Sequence, residues 1–302
     1  MEANLKLKIR AWIQAGRPPF YIATFIPLAI GWILGKQQCG SWHPERFFLI
    51  ALGSFLIHLA TNLANDVFDH LQGTDDGDAI GGSRVIQEGA LSFTAVKNAM
   101  IGCYASACLI GLYAMSVWNL WGLLPLMAVA LFSSIFYVAP PVRYGYHGLG
   151  EVSVAVNMGP VMVLGTSWVI SENPSWLPVI VSIPVGLMVA SILYYQSLPD
   201  MKTDAAAGKR TLAVRLGKKW ACRGLIFQWA AVYGSIILLT ASGTVSRISL
   251  ISLATLPLLI KITRLIRQTH DWVELDTHGK YVRILYLING LIIIAGLLKK
   301  QL

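Results

Sequence analysis

Charge is scarce in this sequence. Of its 302 residues, 13% are Asp, Glu, Lys or Arg, about half the share of an ordinary soluble domain. So few charges exclude a surface that faces water on all sides. Acid is scarcer than base, 15 residues against 24, for a formal net charge of +9. Cysteine is sparse too. Cys39, Cys103, Cys108 and Cys222 form no CxxC and no metal-ligand spacing, so they read as small apolar packing residues. No GxxxxGK[ST], no GxGxxG after a strand and no HExxH occurs. Nucleotide hydrolysis and zinc chemistry therefore find no support. Gly208-Lys209-Arg210-Thr211 is not a phosphate loop, because Arg210 intervenes and no second glycine lies five residues before Gly208. No cleavable signal is evident, since the stretch from Leu5 to Ile13 is too charged for a signal core. That stretch reads as an amphipathic segment on the membrane surface, joined to the first span at Pro18 and Pro19.

What is abundant is apolar length. Hydrophobic residues make up 55% of the chain, in runs of about 20 that mark a polytopic, all-α membrane protein. Nine candidate spans cover 18–35, 46–66, 95–117, 120–138, 149–171, 176–198, 222–242, 246–266 and 281–298, in a single transmembrane domain over 1–302. Gly31-Trp32-Ile33-Leu34-Gly35 is a GxxxG and reads as a structural packing motif. With the N-terminus in the cytoplasm, all but five of the 24 Lys and Arg fall on the cytoplasmic side. The five are Lys36, Arg46, Arg247, Lys299 and Lys300. That asymmetry sets the orientation. It accounts for the net charge through loops at a bacterial inner membrane, with no need of nucleic acid. The long loops 66–94 and 199–221 share the cytoplasmic side.

A polar stripe closes the second span. Asn62, Asn65, Asp66 and Asp69 are spaced by three and four, so a helix puts them on one face, with His58 and Thr61 above them. Such a stripe is costly against lipid and belongs against protein or a wet cavity. Its oxygens suit a hard cation such as Mg2+, which keeps waters and adds substrate phosphates as ligands. The following loop adds Asp75, Asp76 and Asp78. A second stretch answers it: Gln196, Asp200 and Asp204 recur at intervals of four. Lys209, Arg210, Arg215, Lys218 and Lys219 follow. Two acidic helix ends with cations beside them suggest a bridged metal–diphosphate site; solvated helix-end charges are the simpler alternative for either alone. Between them, Arg143, Tyr144, Tyr146 and His147 share the same face. Tyr146 and His147 read first as interfacial anchors. Asn157, with Ser153 one turn before it, reads equally as a pocket donor or an interhelical hydrogen bond.

These residues resemble the UbiA superfamily of intramembrane aromatic prenyltransferases. Asn65-Asp66-x-x-Asp69 resembles its first Asp-rich motif and Asp200-x-x-x-Asp204 its second. Gly16-Arg17-Pro18, Gly81-Gly82-Ser83-Arg84-Val85-Ile86, Tyr137-Val138-Ala139-Pro140-Pro141, Gly148-Leu149-Gly150-Glu151 and the run from Gly208 to Gly217 resemble its 1,4-dihydroxy-2-naphthoate polyprenyltransferase branch. The likeness covers about 16–220; beyond that only three apolar spans are shared. Gly73 stands where many members have a third Asp. Gln196-Ser197-Leu198-Pro199 stands where many naphthoate enzymes carry Asn-Asn and a basic residue.

The resemblance implies helices around a central cavity, Mg2+ dependence, and transfer of a polyprenyl group from its diphosphate to an aromatic acid, with the tail in membrane lipid. It implies Asn65, Asp66, Asp69, Asp200 and Asp204 as metal ligands. Tyr137, Asn65 and Asp69 are the catalytic candidates. Arg17, Asn62, Arg84, Arg143, Tyr144, Asn157, Tyr195 and Lys209 are the substrate-binding candidates. Aromatic rings at Tyr137, Tyr144, Tyr194 and Tyr195 suit an allylic cation. The acceptors 4-hydroxybenzoate and homogentisate compete with dihydroxynaphthoate. From another class, an ion-coupled transporter calls for inverted repeats and acids at mid-membrane; the acids here lie at one edge and no repeat is visible.

Overall fold

The computed structural model describes residues 2–73, 81–269 and 271–300, with side chains from residue 5 onward. Asp75, Asp76 and Asp78 lie outside the described residues. Among those described, every regular element is helical. A helix satisfies its own backbone donors and acceptors, which hydrocarbon cannot do for it. In chain order the helices are α1 (Glu2–Gly16), α2 (Ile22–Cys39), α3 (Pro44–Gln72), α4 (Phe93–Val117), α5 (Leu124–Phe136), α6 (Gly150–Val156) and α7 (Met162–Ser171). They continue with α8 (Trp176–Gln196), α9 (Met201–Ala206), α10 (Leu212–Ala241), α11 (Leu256–Gln268), α12 (Glu274–His278) and α13 (Lys280–Lys299).

Seven helical stretches among the described residues are long and apolar enough to cross a membrane: Pro44–Gln72, Phe93–Val117, Gly150–Ser171, Trp176–Gln196, Leu212–Ala241, Arg247–Gln268 and Glu274–Lys299. The pair Leu5–Phe20 and Ile22–Cys39, bent by 51°, and the shorter Trp121–Phe136 lie on the remaining two sequence spans. α1 meets α2 across Pro18 and Pro19. It buries Ala11 and Ala15 against Leu63, Val67 and Val85, while Leu5, Leu7, Ile9 and Ile13 stay exposed. That apolar outer face matches a helix lying on lipid.

The GxxxG of α2 does pack. A Cβ on Gly31 would stand 2.6 Å from Thr166 Cβ, and one on Gly35 the same distance from Ile170 Cβ. Only glycine lets α2 and α7 approach so closely. A π-helical turn, Asn157–Val161, joins α6 to α7 at Pro160, whose missing N–H loosens the helical ladder. The largest core cluster gathers α2, α8, α10, α11 and α13 around Trp229, Tyr194 and Tyr286. The four cysteines are free thiols.

Candidate active site

α3 stops at Gly73, whose φ of 66° only glycine adopts readily. Its last turns bury Asn62, Asp66 and Asp69. Asp66 is fully engaged. Its Oδ1 accepts from Arg17 Nη2 at 2.6 Å and from the Ser83 amide at 3.1 Å, and its Oδ2 accepts from Ser83 Oγ at 2.6 Å. Asn62 Nδ2 donates to the Gly16 carbonyl at 3.1 Å. The end of α1 and the loop before α4 are thereby fastened to α3.

Asp69 faces the second acidic stretch. Its Oδ1 accepts from the Tyr146 hydroxyl. Lys209 Nζ lies 5.2 Å from the Tyr146 ring centroid, and the Arg143 guanidinium lies 5.6 Å from it. The same Lys209 Nζ is 3.5 Å from Asp204 Oδ1. Asp200 Oδ1 accepts the Gly81 amide at 2.9 Å. A Cβ on Gly81 would meet Asp200 Oδ2 at 2.5 Å, so glycine is what lets the two loops touch. Burial pushes the Asp204 carboxyl up to about 6; Lys209 opposes that shift, and Asp200 and Asp69 add to it. Burial draws the Lys209 ammonium down, but Asp69 and Asp204 outweigh it and hold the pKa above the usual lysine value. The cluster is thus two acidic ends cross-linked by one cation.

Beside this cluster a cavity of about 350 Å³ runs between α2, α3, α4, α5, α7 and α8. Arg17, Asn62, Asn65, Tyr137 and Gln196 line its polar end, and Ile50, Met115, Trp118, Met127 and Val169 line the other. A long apolar slot with one charged end matches a lipid with a polyanionic head.

The sequence pattern of the UbiA prenyltransferase family matches residues 24–273. The chain belongs to this family. The 2-carboxy-1,4-naphthoquinone phytyltransferase of Synechocystis sp. is 30% identical over 297 residues, 95% of this chain and 92% of that one. The 1,4-dihydroxy-2-naphthoate octaprenyltransferase of Escherichia coli is 29% identical over 304 residues, 97% of each. A UbiA homologue from Archaeoglobus fulgidus bound to GPP and Mg2+ shares the fold, with TM-score 0.60, 15% identity, and coverage of 94% of this chain and 99% of that one. The family match runs on to residue 273, past the end of the likeness visible in the motifs.

In this UbiA-family site, Arg17, Asn62, Asn65, Asp66, Asp69, Tyr137, Arg143, Asp200, Asp204 and Lys209 gather at one end of the bundle. Tyr144 and Asn157 line the cavity. The Tyr137 and Tyr144 rings meet edge to face at 5.6 Å and 87°, and the Tyr144 hydroxyl donates to the Ser133 carbonyl. Asn157 donates within its own helix, to the Ser153 carbonyl at 2.8 Å, while its Oδ1 is buried with no partner among the described residues. Arg84 does not line the cavity; its Nε is 3.8 Å from Glu88. Tyr195 is set apart: it is 1% exposed and donates to the Leu275 carbonyl at 3.0 Å.

Ser83 and Gln72, outside the sequence candidates, join the site with Gln196 of the second acidic stretch. Ser83 holds Asp66, Gln196 lines the cavity, and Gln72 accepts from Arg143 Nη1 at 2.6 Å. Tyr146 is no surface anchor, being 5% exposed and bonded to Asp69. Nothing in the spacing separates it from the exposed His147 beside it.

Among the described residues, no three His, Cys, Asp or Glu side chains converge on a point that could hold a metal. Those residues form no preformed cage; Mg2+ can bind through one or two carboxylates plus substrate phosphates. The donors here are hard oxygens, and the buried Asn65 Oδ1 has no partner among the described residues.

Proposed function

We propose that this protein transfers a polyprenyl group from its diphosphate to 1,4-dihydroxy-2-naphthoate, with loss of the acceptor carboxylate, in menaquinone synthesis. One observation carries the reading. The two acidic ends meet, through Lys209 and the Gly81–Asp200 bond, at the polar end of an otherwise apolar cavity. The names of the naphthoate and naphthoquinone relatives favour this acceptor over 4-hydroxybenzoate or homogentisate. The distribution of Lys and Arg supports a bacterial inner membrane with the acidic motifs facing the cytoplasm, and the tail running into lipid.

Asn65, Asp66, Asp69, Asp200 and Asp204 would hold Mg2+ together with the diphosphate. Bound there, Mg2+ neutralises charge on the leaving group. Lys209, Arg143 and Arg17 add positive charge from the protein; Arg84, set against Glu88 outside the cavity, does not join them. Arg17 now occupies Asp66 Oδ1; an arriving diphosphate competes for that guanidinium and opens the carboxylate to the cation. As the allylic C–O bond breaks, the rings of Tyr137 and Tyr144 present electron density to the cation, and the apolar walls keep water from quenching it. The acceptor ring attacks, the new C–C bond forms, and departure of the carboxylate as CO2 returns its electron pair to the ring. No strong catalytic base is needed. Asn157 Oδ1 accepts from an acceptor hydroxyl.

The test supplies the purified full chain with Mg2+, prenyl diphosphates of several lengths and a panel of aromatic acids, and identifies products by mass. A prenylated naphthoquinol that has lost its carboxylate is the expected product. Product from only a different acid would overturn the acceptor, and no product from any acid would overturn the reading.

A further inference from the structure

The basic run after the second acidic stretch is longer than the active site uses. Lys218, Lys219 and Arg223 line a second cavity of about 400 Å³, with Arg267, Thr269 and Trp272 opposite them. It lies between α10 just past Gly217, the end of α11, and Trp272. Among the described residues that line it there is no carboxylate. Three features of its walls fit an anion. First, Gly217 (φ 68°, ψ 170°) breaks α10, so the helix starts afresh at Lys218. The first amides of a helix have no acceptor in the turn before them, and the positive end of its dipole lies there. Second, Trp272 Nε1 is a buried donor without an acceptor among the described residues. Third, Lys218 Nζ is held 5.2 Å from the Trp272 ring centroid, which fixes one cation in the wall.

The surroundings say which anion. Trp220, Arg223 and Phe227 fall on one face of α10, and the Arg223 guanidinium sits 4.3 Å over the Trp220 ring. Trp220 is 44% exposed and Phe227 71%, on a helix long and apolar enough to span a membrane. A Trp–Arg pair next to an exposed apolar face marks the headgroup level of a bilayer. Basic pockets between membrane helices take anionic lipid heads there. We propose that this cavity binds the phosphate of an anionic phospholipid, with its acyl chains along the Trp220–Phe227 face of α10. The assignment is independent of the acceptor reading, because none of these residues belongs to the catalytic cluster.

Native mass spectrometry of the full chain in detergent tests it, with phosphatidylglycerol or phosphatidylcholine added and inorganic phosphate as competitor. The wild type should retain phosphatidylglycerol in preference. Lys219→Gln with Arg267→Gln should weaken that retention about 25-fold, at about five-fold per cation, while Lys219→Arg with Arg267→Lys keeps it. Equal retention of both lipids by the wild type, or an unchanged preference in the neutralised variant, overturns the proposal. So does displacement of the lipid by an equal concentration of inorganic phosphate, which would make the site one for a soluble anion. Should the neutralised variant not fold, about 1 M salt on the wild type decides: an electrostatic preference collapses under that screening, and a preference that survives it overturns the assignment.

Discussion

Asp66 and Asp204 are the same residue type, both buried in the same cluster, and they are held in opposite ways. Asp66, 1% exposed, receives hydrogen bonds from Arg17 and twice from Ser83. Asp204, 7% exposed, has a lysine at 3.5 Å and a carboxyl pushed up to about 6, chiefly by burial. A carboxylate with a full set of donors has its charge already balanced and fastens chain segments together. One that is buried with a single cation beside it and no other donor among the described residues is under-compensated, and a further cation improves its lot. The first acidic end therefore works as a clamp in the ligand-free protein, while the second keeps a carboxylate open to a further cation. For Asp66 to join a metal, as proposed, Arg17 would first have to be drawn away.

The comparison breaks most visibly at the open end. Asp204→Ala should lower turnover by about 10²–10³-fold and leave the thermal midpoint close to that of the wild type. Chelator should do the same to the wild type, and Mg2+ should restore it. A midpoint that collapses with the activity would make Asp204 a clamp like Asp66. The converse variant, Asp66→Ala, removes one partner of a buried ion pair, at a cost of about 3–5 kcal/mol. Because the Arg17 side chain is 21% exposed, the lower figure is expected. The measurement is the denaturant midpoint in one detergent, and a wild-type midpoint would abolish the asymmetry.

A smaller effect separates ring from hydroxyl at Tyr137. Its hydroxyl makes no hydrogen bond to a motif carboxylate among the described residues, while its ring lines the cavity. Tyr137→Phe should stay within about 3-fold of wild-type kcat, and Tyr137→Ala should fall about 10- to 30-fold, the scale of a desolvated cation–π contact. A large loss in the Phe variant would assign the work to the hydroxyl. The smallest effect is on pH. Asp204 gains a proton as pH falls through about 6, so on the acid side the proton competes with the metal. The Mg2+ concentration for half-maximal rate should rise by up to about ten-fold per unit below that pH and be level above about 7. A half-maximal concentration unchanged from pH 5 to pH 8 would remove Asp204 from the metal set.

The spans were legible because hydrocarbon leaves a chain so few choices. Each of the nine apolar runs has its helix among the described residues, and the proline pair near residue 18 marks a bend. The stripe from Asn62 to Asp69 was legible because helical periodicity puts residues three and four apart on one face. Tyr195 was not, because an aromatic near a motif looks the same in sequence whether it lines the cavity or, as here, fixes the Leu275 carbonyl. Ser83 and Tyr146 were missed as partners of the acids for a related reason: each reaches its Asp across a long stretch of chain.

By itself, then, the sequence determined the class of molecule, where its apolar runs fall along the chain, and the residue types that could meet a metal and a diphosphate. These are local properties, set by apolar length, period and charge. Only the tertiary structure decided which carboxylate is clamped and which is open, that Lys209 joins the two acidic ends, and that the surplus cations of α10 close around a second cavity. Those outcomes depend on distances between segments far apart in the chain, and no spacing along the sequence encodes them.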